Sequence, residues 1–392
     1  MAGIAEQRDF LSESWITSAN DIMKLDPPII TAFLEAAAMV RGRAQLWELA
    51  LSCRNLVLAA GEDDHKTMVA ELVSVLKDSN DDLKDVMGRQ AGMFAALLVP
   101  LLLPQTIHRY RSQGISDDVL VDTMSDIGIW IKSYYDQHGI WGLDNIKWLL
   151  NHLCCRLFRL GRLQFIREPF RHSVIVLRNV RDGEVAALSE AGVDYRQDGL
   201  VDGTNRIYDS LGKWTASFEQ TDGYFIGNPL LSAGKALNQP AYLPATDWRI
   251  ELQRGDPVLS IHIPEGGKMA HELCKESMLQ TVDFYRKHFP DRPFRAFACT
   301  SWLMDPQFQT ILPDFSNIVK FQKEFYLFPI RSNEEETYRR VFGMAEIDPA
   351  TAGRDTGLRR AILDNAAAGN RPHAASGFLL QDDLTSGMKR HF

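Results

Sequence analysis

The strongest constraint on the fold is a change of periodicity near Gly161. Upstream, over residues 12–163, apolar residues recur at helical spacing, and no run alternates as a half-buried strand does. Pro27 and Pro28 are placed to open a helix through Ile30, Phe33, Leu34, Ala37 and Val40, because proline is tolerated in a first helical turn. Leu46, Leu49, Leu51 and Leu56 predict the next helix, and residues 65–77 and 83–103 two more. Ser116, followed by Asp117 and Asp118, reads as an N-cap. The helix it opens carries Leu120, Met124, Ile127 and Ile131 on one side. Residues 141–163 complete an all-helical N-terminal domain, set at residues 1–160.

Beyond that point β-branched and aromatic segments appear at residues 173–177, 214–218, 224–226 and 257–263. Turn-rich text separates them: Arg181-Asp182-Gly183, Asp202-Gly203 and Asp222-Gly223. Strands then alternate with helices: helix 269–288, strand 294–299, helix 305–312 and an apolar strand at 321–328. The expected class is α+β, a mixed α/β domain at 161–330 following the helical one. Residues 331–392 form a C-terminal segment with helices at 333–342 and 355–365 and a loosely ordered end from Gly369.

A chain of 392 residues fits two domains better than one core. Its net charge of -8 argues against nonspecific nucleic-acid binding, which needs a basic face to displace counterions. The cysteines, Cys53, Cys154, Cys155, Cys274 and Cys299, are odd in number and form no CxxC pair. That disfavours structural zinc and a disulfide framework, so no metal and a reducing cytoplasm are expected. The first residues show no basic segment followed by an apolar one, hence no secretory signal. The most apolar run, residues 91–103, falls short of the roughly 20 residues a bilayer span needs, and Pro100 interrupts it. It reads as a buried helix, with no membrane partner.

Residues 256–273 carry the chemistry best. In the strand Val258-Leu259-Ser260-Ile261-His262-Ile263, Ser260 and His262 share one face and Leu259, Ile261 and Ile263 the other. Pro264 ends the pairing. Gly266 and Gly267 let the backbone turn sharply and approach a ligand with no Cβ in the way. Lys268 stands at the start of a helix, whose N–H groups and dipole attract an anion, pyrophosphate being the natural guest. A turn with glycines for geometry alone is the alternative. The helix after it carries Cys274, Met278, Val282, Tyr285 and Phe289 at helical spacing, a stripe for packing against a sheet.

The second strand brings Cys299, Ser301 and Trp302 to its C-terminal end, where ligands collect in open α/β sheets. Asp305 is placed to cap the following helix, with Pro306 at its first position. Cys299 has no histidine close behind it and reads as core or, alternatively, as a nucleophile. Ser301 lacks the G-x-S-x-G elbow and fits a hydrogen-bonding role better than a nucleophilic one. His262 is the candidate general base, with a structural histidine as the alternative. Ser316-Asn317 opens the last strand, and the other histidines fall at no ligand spacing.

At Leu160-Gly-Arg-Leu-Gln-Phe165, His262-Ile-Pro-Glu-Gly266, Cys299-Thr-Ser-Trp-Leu303 with Asp305-Pro306, Ser316-Asn-Ile318 and Asp355-Thr-Gly-Leu-Arg-Arg360 the chain resembles bacterial acyltransferases. These have a helical N-acyltransferase domain and a GNAT-like C-terminal domain. The resemblance implies a GNAT-type sheet splayed to admit the pantetheine arm of acyl-coenzyme A. It implies pyrophosphate at Glu265, Gly266, Gly267, Lys268 and Met269, and pantetheine along His262, Ile263 and Pro264. Acyl transfer from a thioester to a small-molecule amine follows, with His262 as base and Ser301 or Trp302 near the thioester. No permanently bound cofactor is implied; acyl-CoA is a co-substrate. The phosphate loop opens Pro264-Glu265 where GNAT enzymes usually carry Arg or Gln, and residues 301–315 hold no tyrosine to serve as acid. A thioester on an acyl or peptidyl carrier protein therefore stands beside acyl-CoA as donor. The rival readings are a thioester hydrolase using Cys299 or Ser301 and a noncatalytic CoA-binding protein.

Overall fold

The computed structural model describes residues 9–61 and 64–386. The chain divides into two compact units, residues 1–166 with 263–266, and residues 167–262 with 267–392.

The first unit is helical: α1 (Glu13–Met23), α2 (Pro27–Arg41), α3 (Ala44–Ala59), α4 (His65–Asp78), α5 (Asn80–Met87), α6 (Leu98–Ser112), α7 (Asp117–Met124), α8 (Asp126–His138) and α9 (Ile146–Leu153). Helix α2 opens on the two prolines and buries Ile29, Ala32, Phe33, Ala36, Ala37 and Val40, the spacing of one helical face. Four sequence expectations need correction. The stretch 83–103 is broken: Gly88 takes φ +54, and a 3-10 segment, Gly88–Met93, separates α5 from α6. Pro100 does not interrupt α6 but sits in its first turn, where the missing N–H costs nothing. The helix from Ser116 also breaks, at Ser125, whose hydroxyl donates to the Asp122 carbonyl at 2.7 Å. Finally, 141–163 is not all helix, since α9 ends at Leu153 and β1 (Leu157–Leu160) pairs antiparallel with β2 (Leu163–Pro169) around Gly161 at φ +66. The run Leu98–Leu103 is buried, as expected. Among the described residues no single helix is long and apolar enough to cross a membrane.

One polar cluster lies inside this helical unit. Asp126, at the first position of α8, is 3 % exposed and His152 on α9 is fully buried. Trp130 Nε1 and Trp148 Nε1 each donate to Asp126 Oδ2 at 3.0 Å, and His152 Nε2 lies 3.1 Å from the same oxygen.

The second unit holds two packed sheets. One contains β3 (Val174–Asn179), β4 (Val185–Ser189), β5 (Pro229–Leu231) and β6 (Trp248–Leu252) in the order β5-β4-β3-β6, with Lys235–Ala236 beyond β5. In the other, β7 (Pro257–His262), β8 (Ala296–Ser301), β9 (Tyr326–Pro329) and β10 (Ala375–Leu380) run in the order β7-β8-β10-β9. Helices α10 (His271–His288), α11 (Phe308–Ile311), α12 (Asn317–Gln322), α13 (Glu335–Phe342), α14 (Gly357–Ala367) and α15 (Gln381–Ser386) complete it. Val258, Ala296, Ala298, Tyr326, Phe328 and Phe378 form one core with Val174, Val176, Val185 and Leu230 of the facing sheet. The alternation of strand side chains puts Phe297 and Cys299 on the opposite face. There α10 buries Cys274, Met278, Val282 and Tyr285, the expected stripe.

Two further expectations fail in this unit. Residues 321–328 are not one strand: Phe321 and Gln322 close α12, and β9 begins only at Tyr326. Gln322 decides this, its fully buried amide donating to the Leu303 and Asp305 carbonyls at 2.7 and 2.8 Å. Ser316 accordingly precedes a helix, not a strand. The end from Gly369, read as loose within the segment 331–392, supplies β10, whose six residues are all buried between β8 and β9. A strand covered on both faces has no reason to alternate, so its pattern Ala-Ser-Gly-Phe-Leu-Leu gave no strand signal. Residues 387–392 of that end lie outside the described residues.

Candidate active site

The site begins with β7. Its burial follows the expected alternation: Leu259 and Ile261 are buried, while Ser260 and His262 are half-buried on the other face. Strands β7 and β8 run parallel, in register from Val258–Ala296 through Leu259–Phe297 to Ser260–Ala298. Both strands then continue, to His262 and to Ser301, beyond the last of these pairs. The two strands therefore part at their C-terminal ends, which opens a wedge between backbones in the middle of a sheet. His262 stands on one arm of that wedge and Cys299, Thr300 and Ser301 on the other.

The turn follows directly. Pro264 is buried, and its carbonyl accepts a hydrogen bond from Arg162 Nη1 at 3.0 Å. Glu265, Gly266, Gly267 and Lys268 are exposed, while Ile263 and Met269 are half-buried. Gly266 and Gly267 take φ +85 and +74, a consecutive left-handed pair that only glycine adopts without strain. No atom lies within 4 Å of where a Cβ on Gly266 would stand. At Gly266 the bend is open. Helix α10 starts at His271 rather than at Lys268, so Lys268, Met269 and the extended Ala270 precede it. No side chain caps its first turn. His271, its first residue, is held by Glu324, whose Oε1 lies 2.6 Å from His271 Nε2.

The second arm is tightly built. Ser301 Oγ accepts from the Leu303 amide at 3.1 Å, bending the chain into a short 3-10 turn, Trp302–Met304. Trp302 meets Phe308 edge-on, with ring centroids 6.0 Å apart. Asp305 is fully buried and its Oδ1 accepts from the Gln307 amide at 3.0 Å, but it is not the expected N-cap: α11 starts later, at Phe308, with Gln307 before it. Its Oδ2 takes the His373 amide at 3.0 Å, tying this turn to the segment that enters β10. Cys299 is 1 % exposed, and burial, aided by Cys274 nearby, pushes its thiol up to about 12. A thiol so placed has no thiolate to attack with at neutral pH.

Sequence reasoning missed His172. Its Nε2 lies 3.2 Å from both Thr300 Oγ1 and Ser376 Oγ, and these hydroxyls are 2.8 Å apart. Ser376 Oγ also reaches the Cys299 carbonyl at 3.2 Å. The ring sits against Phe328, centroids 5.0 Å apart. The partners lie 128 and 204 residues away in the chain, so no local spacing betrays the cluster. Burial, with the Arg254 guanidinium adding to it, holds the His172 imidazole down to about 4. It is therefore neutral at pH 7 and acts as a hydrogen-bonding hinge between the hydroxyls.

A pH dependence follows. In the helical unit His65 is likewise held to about 4, by burial and then by Arg156. Both folded values lie below the ordinary histidine value of about 6.5. The unfolded chain thus binds protons first, and the stability these rings contribute is complete above that value and lost as pH falls toward 4. The thermal midpoint is expected to drop between pH 7 and pH 4.5, and His172→Gln to drop less over the same interval. A midpoint flat across that range contradicts the assignment.

Two family models match this chain. Residues 16–155 match the N-acyltransferase N-terminal domain, and residues 157–379 match the GNAT-like C-terminal domain. No curated protein matches. Among solved structures, a mutant acyltransferase in complex with octanoyl-CoA is similar at 18 % identity and TM-score 0.50, covering 93 % of this chain and 99 % of its own. An acyltransferase in complex with CoA and 10C-teicoplanin is similar with the same figures.

Proposed function

Since this chain belongs to the family with a GNAT-like C-terminal domain, joined to an N-acyltransferase N-terminal domain, we propose that it transfers an acyl group from acyl-coenzyme A to an amine. The observation that carries this reading is the parting of β7 and β8 after Ser260–Ala298. A wedge of this kind exposes backbone N–H and C=O groups that a pantetheine arm, itself built of amides, satisfies strand-fashion. The left-handed turn at Gly266-Gly267, with open space at Gly266, supports the placement of the diphosphate at Glu265, Gly266, Gly267, Lys268 and Met269, ahead of α10. Pantetheine then follows His262, Ile263 and Pro264.

In the reaction the amine nitrogen attacks the thioester carbonyl carbon, the carbon–sulfur bond breaks, and the amine gives up a proton as the thiolate gains one. His262, half-buried on the arm of the wedge, is the proposed base. Trp302 walls the thioester end, and Ser301 sets the turn that carries it. A backbone N–H at the end of β7 fits the developing oxyanion. Carrier-protein thioesters present the same pantetheine arm and are the alternative donor.

A hydrolase working through an acyl-enzyme is disfavoured by the same geometry. Cys299 is buried with a raised thiol, and the Ser301 oxygen is occupied by the Leu303 amide. The reading is tested by calorimetry with CoA and decanoyl-CoA, followed by thiol release on adding an amine. Binding of decanoyl-CoA with amine-dependent release is expected. His262→Gln should keep the binding and lose about a hundredfold in turnover, the scale of a positioned base. Release at the same rate without any amine, with label left on the protein, would instead indicate a hydrolase.

A further inference from the structure

We propose that Arg331 is the recognition group for a carboxylate on the amine acceptor, so that the enzyme acylates amines bearing a carboxylate about a tripeptide's length away. The inference rests on the acyl-transfer reading and adds the acceptor class to it.

The position comes from the sheet register. Ser301 at the end of β8 and Pro329 at the end of β9 both pair with Ala375, one on each side. They are two strand spacings apart, roughly 10 Å. Arg331 lies two residues beyond Pro329, on the same edge of the sheet as the wedge.

The arginine is held by a built loop. Gly203, at φ +88, lies against it so closely that a Cβ there would stand 2.8 Å from Arg331 Nε and 2.9 Å from Nη2. Arg331 Nη2 donates to the Tyr208 hydroxyl at 2.6 Å. The loop is pinned beneath: Thr204 Oγ1 donates to the Ile330 carbonyl at 3.3 Å and the Asn205 amide to the Ser332 carbonyl at 2.8 Å. Asn205 and Arg206 both take left-handed φ, +55 and +59, although neither is glycine. Consecutive left-handed residues of this kind are strained and gather where loops bind ligands.

Charge then selects the ligand. Arg206 is paired with Glu335, and Arg371 Nη1 lies 3.7 Å from Glu334 Oε1. Among the described residues, Arg331 has no carboxylate at ion-pair distance, although it is exposed. An oriented guanidinium with donors to spare matches a carboxylate in bidentate fashion. The carboxylates of Glu334 and Glu335 close by disfavour a dianion such as a phosphate. The span of roughly 10 Å corresponds to about three extended residues.

The test compares triglycine with triglycinamide as acceptors, with decanoyl-CoA as donor, in the full chain. Wild type should prefer the acid by about tenfold or more in kcat/KM, the scale of a charge-assisted hydrogen bond. Arg331→Gln should erase that preference by raising KM for the acid, leaving the amide and the KM for decanoyl-CoA unchanged. Tyr208→Phe, which removes only the orienting hydroxyl, should lower the preference in part and guards against a folding defect in the arginine variant. Equal use of acid and amide, use of neither, or an Arg331→Gln effect on the KM for decanoyl-CoA overturns the proposal. Calorimetry separates the two levels: decanoyl-CoA bound while neither tripeptide is used removes the acceptor assignment alone, and no decanoyl-CoA binding removes the acyl-transfer reading itself.

Discussion

Gly267→Val is expected to weaken coenzyme A binding by about tenfold or more, with little change in the thermal midpoint. Gly267 takes φ +74 in an exposed turn. A β-branched residue is an outlier there, and forcing it costs about 1–2 kcal/mol. The chain relieves that cost by re-forming the turn, because Glu265 to Lys268 are exposed. Amides aimed at a diphosphate lose their geometry in doing so, and 1.4 kcal/mol is already a factor of ten in affinity. Calorimetry with CoA on wild type and variant reads this directly. An unchanged dissociation constant in a valine variant that folds normally would take the turn out of the site. Glycines that served only the path of the chain would give that result.

The second large effect lies in the helical unit. Asp126→Ala should destabilise the protein by about 3–5 kcal/mol, because two buried indole N–H donors lose their acceptor at roughly 1–3 kcal/mol each. The lost oxygen accepts two indole N–H groups and faces His152, all within an interior that offers no replacement. Burial alone pushes the Asp126 carboxyl up, but His152 and the two tryptophans more than offset that and leave it below the usual carboxylate range. Its contribution is therefore present above the unfolded carboxylate value and is lost as pH falls through the lowered folded one. Asn, which keeps one acceptor oxygen, should cost less than Ala. Urea unfolding followed by circular dichroism measures both, and a cost under about 1 kcal/mol for Asp126→Ala, the scale of an exposed pair, would contradict the assignment.

These two sites differ in how they could be found. The turn at Gly266-Gly267 was visible because a strand ending in proline, two glycines and an amphipathic stripe are contiguous in the chain. Asp126 carries no such signal, since the sequence places it within the helix opened at Ser116. Of its partners only Trp130, four residues on, shares its helix; Trp148 and His152 meet it once α8 and α9 are packed. His172 was missed for the same reason, since Thr300 and Ser376 reach it only across the assembled strands.

Local pattern determined the helical first unit, the α2 start at Pro27-Pro28, the alternation along β7 and the packing stripe of α10. Each of these depends on residues within a few turns or strand steps, where side-chain period and backbone preference act directly. Tertiary structure alone decided that the last stretch before residue 381 is a central strand, that Phe321 and Gln322 end a helix, and that β7 and β8 separate after Ser260–Ala298. It also brought Arg331, Gly203 and Tyr208 together. The physical reason is common to all of them: strand partners and buried polar contacts are chosen by which distant segment supplies the missing hydrogen bond or apolar face, and that choice exists only once the chain has folded.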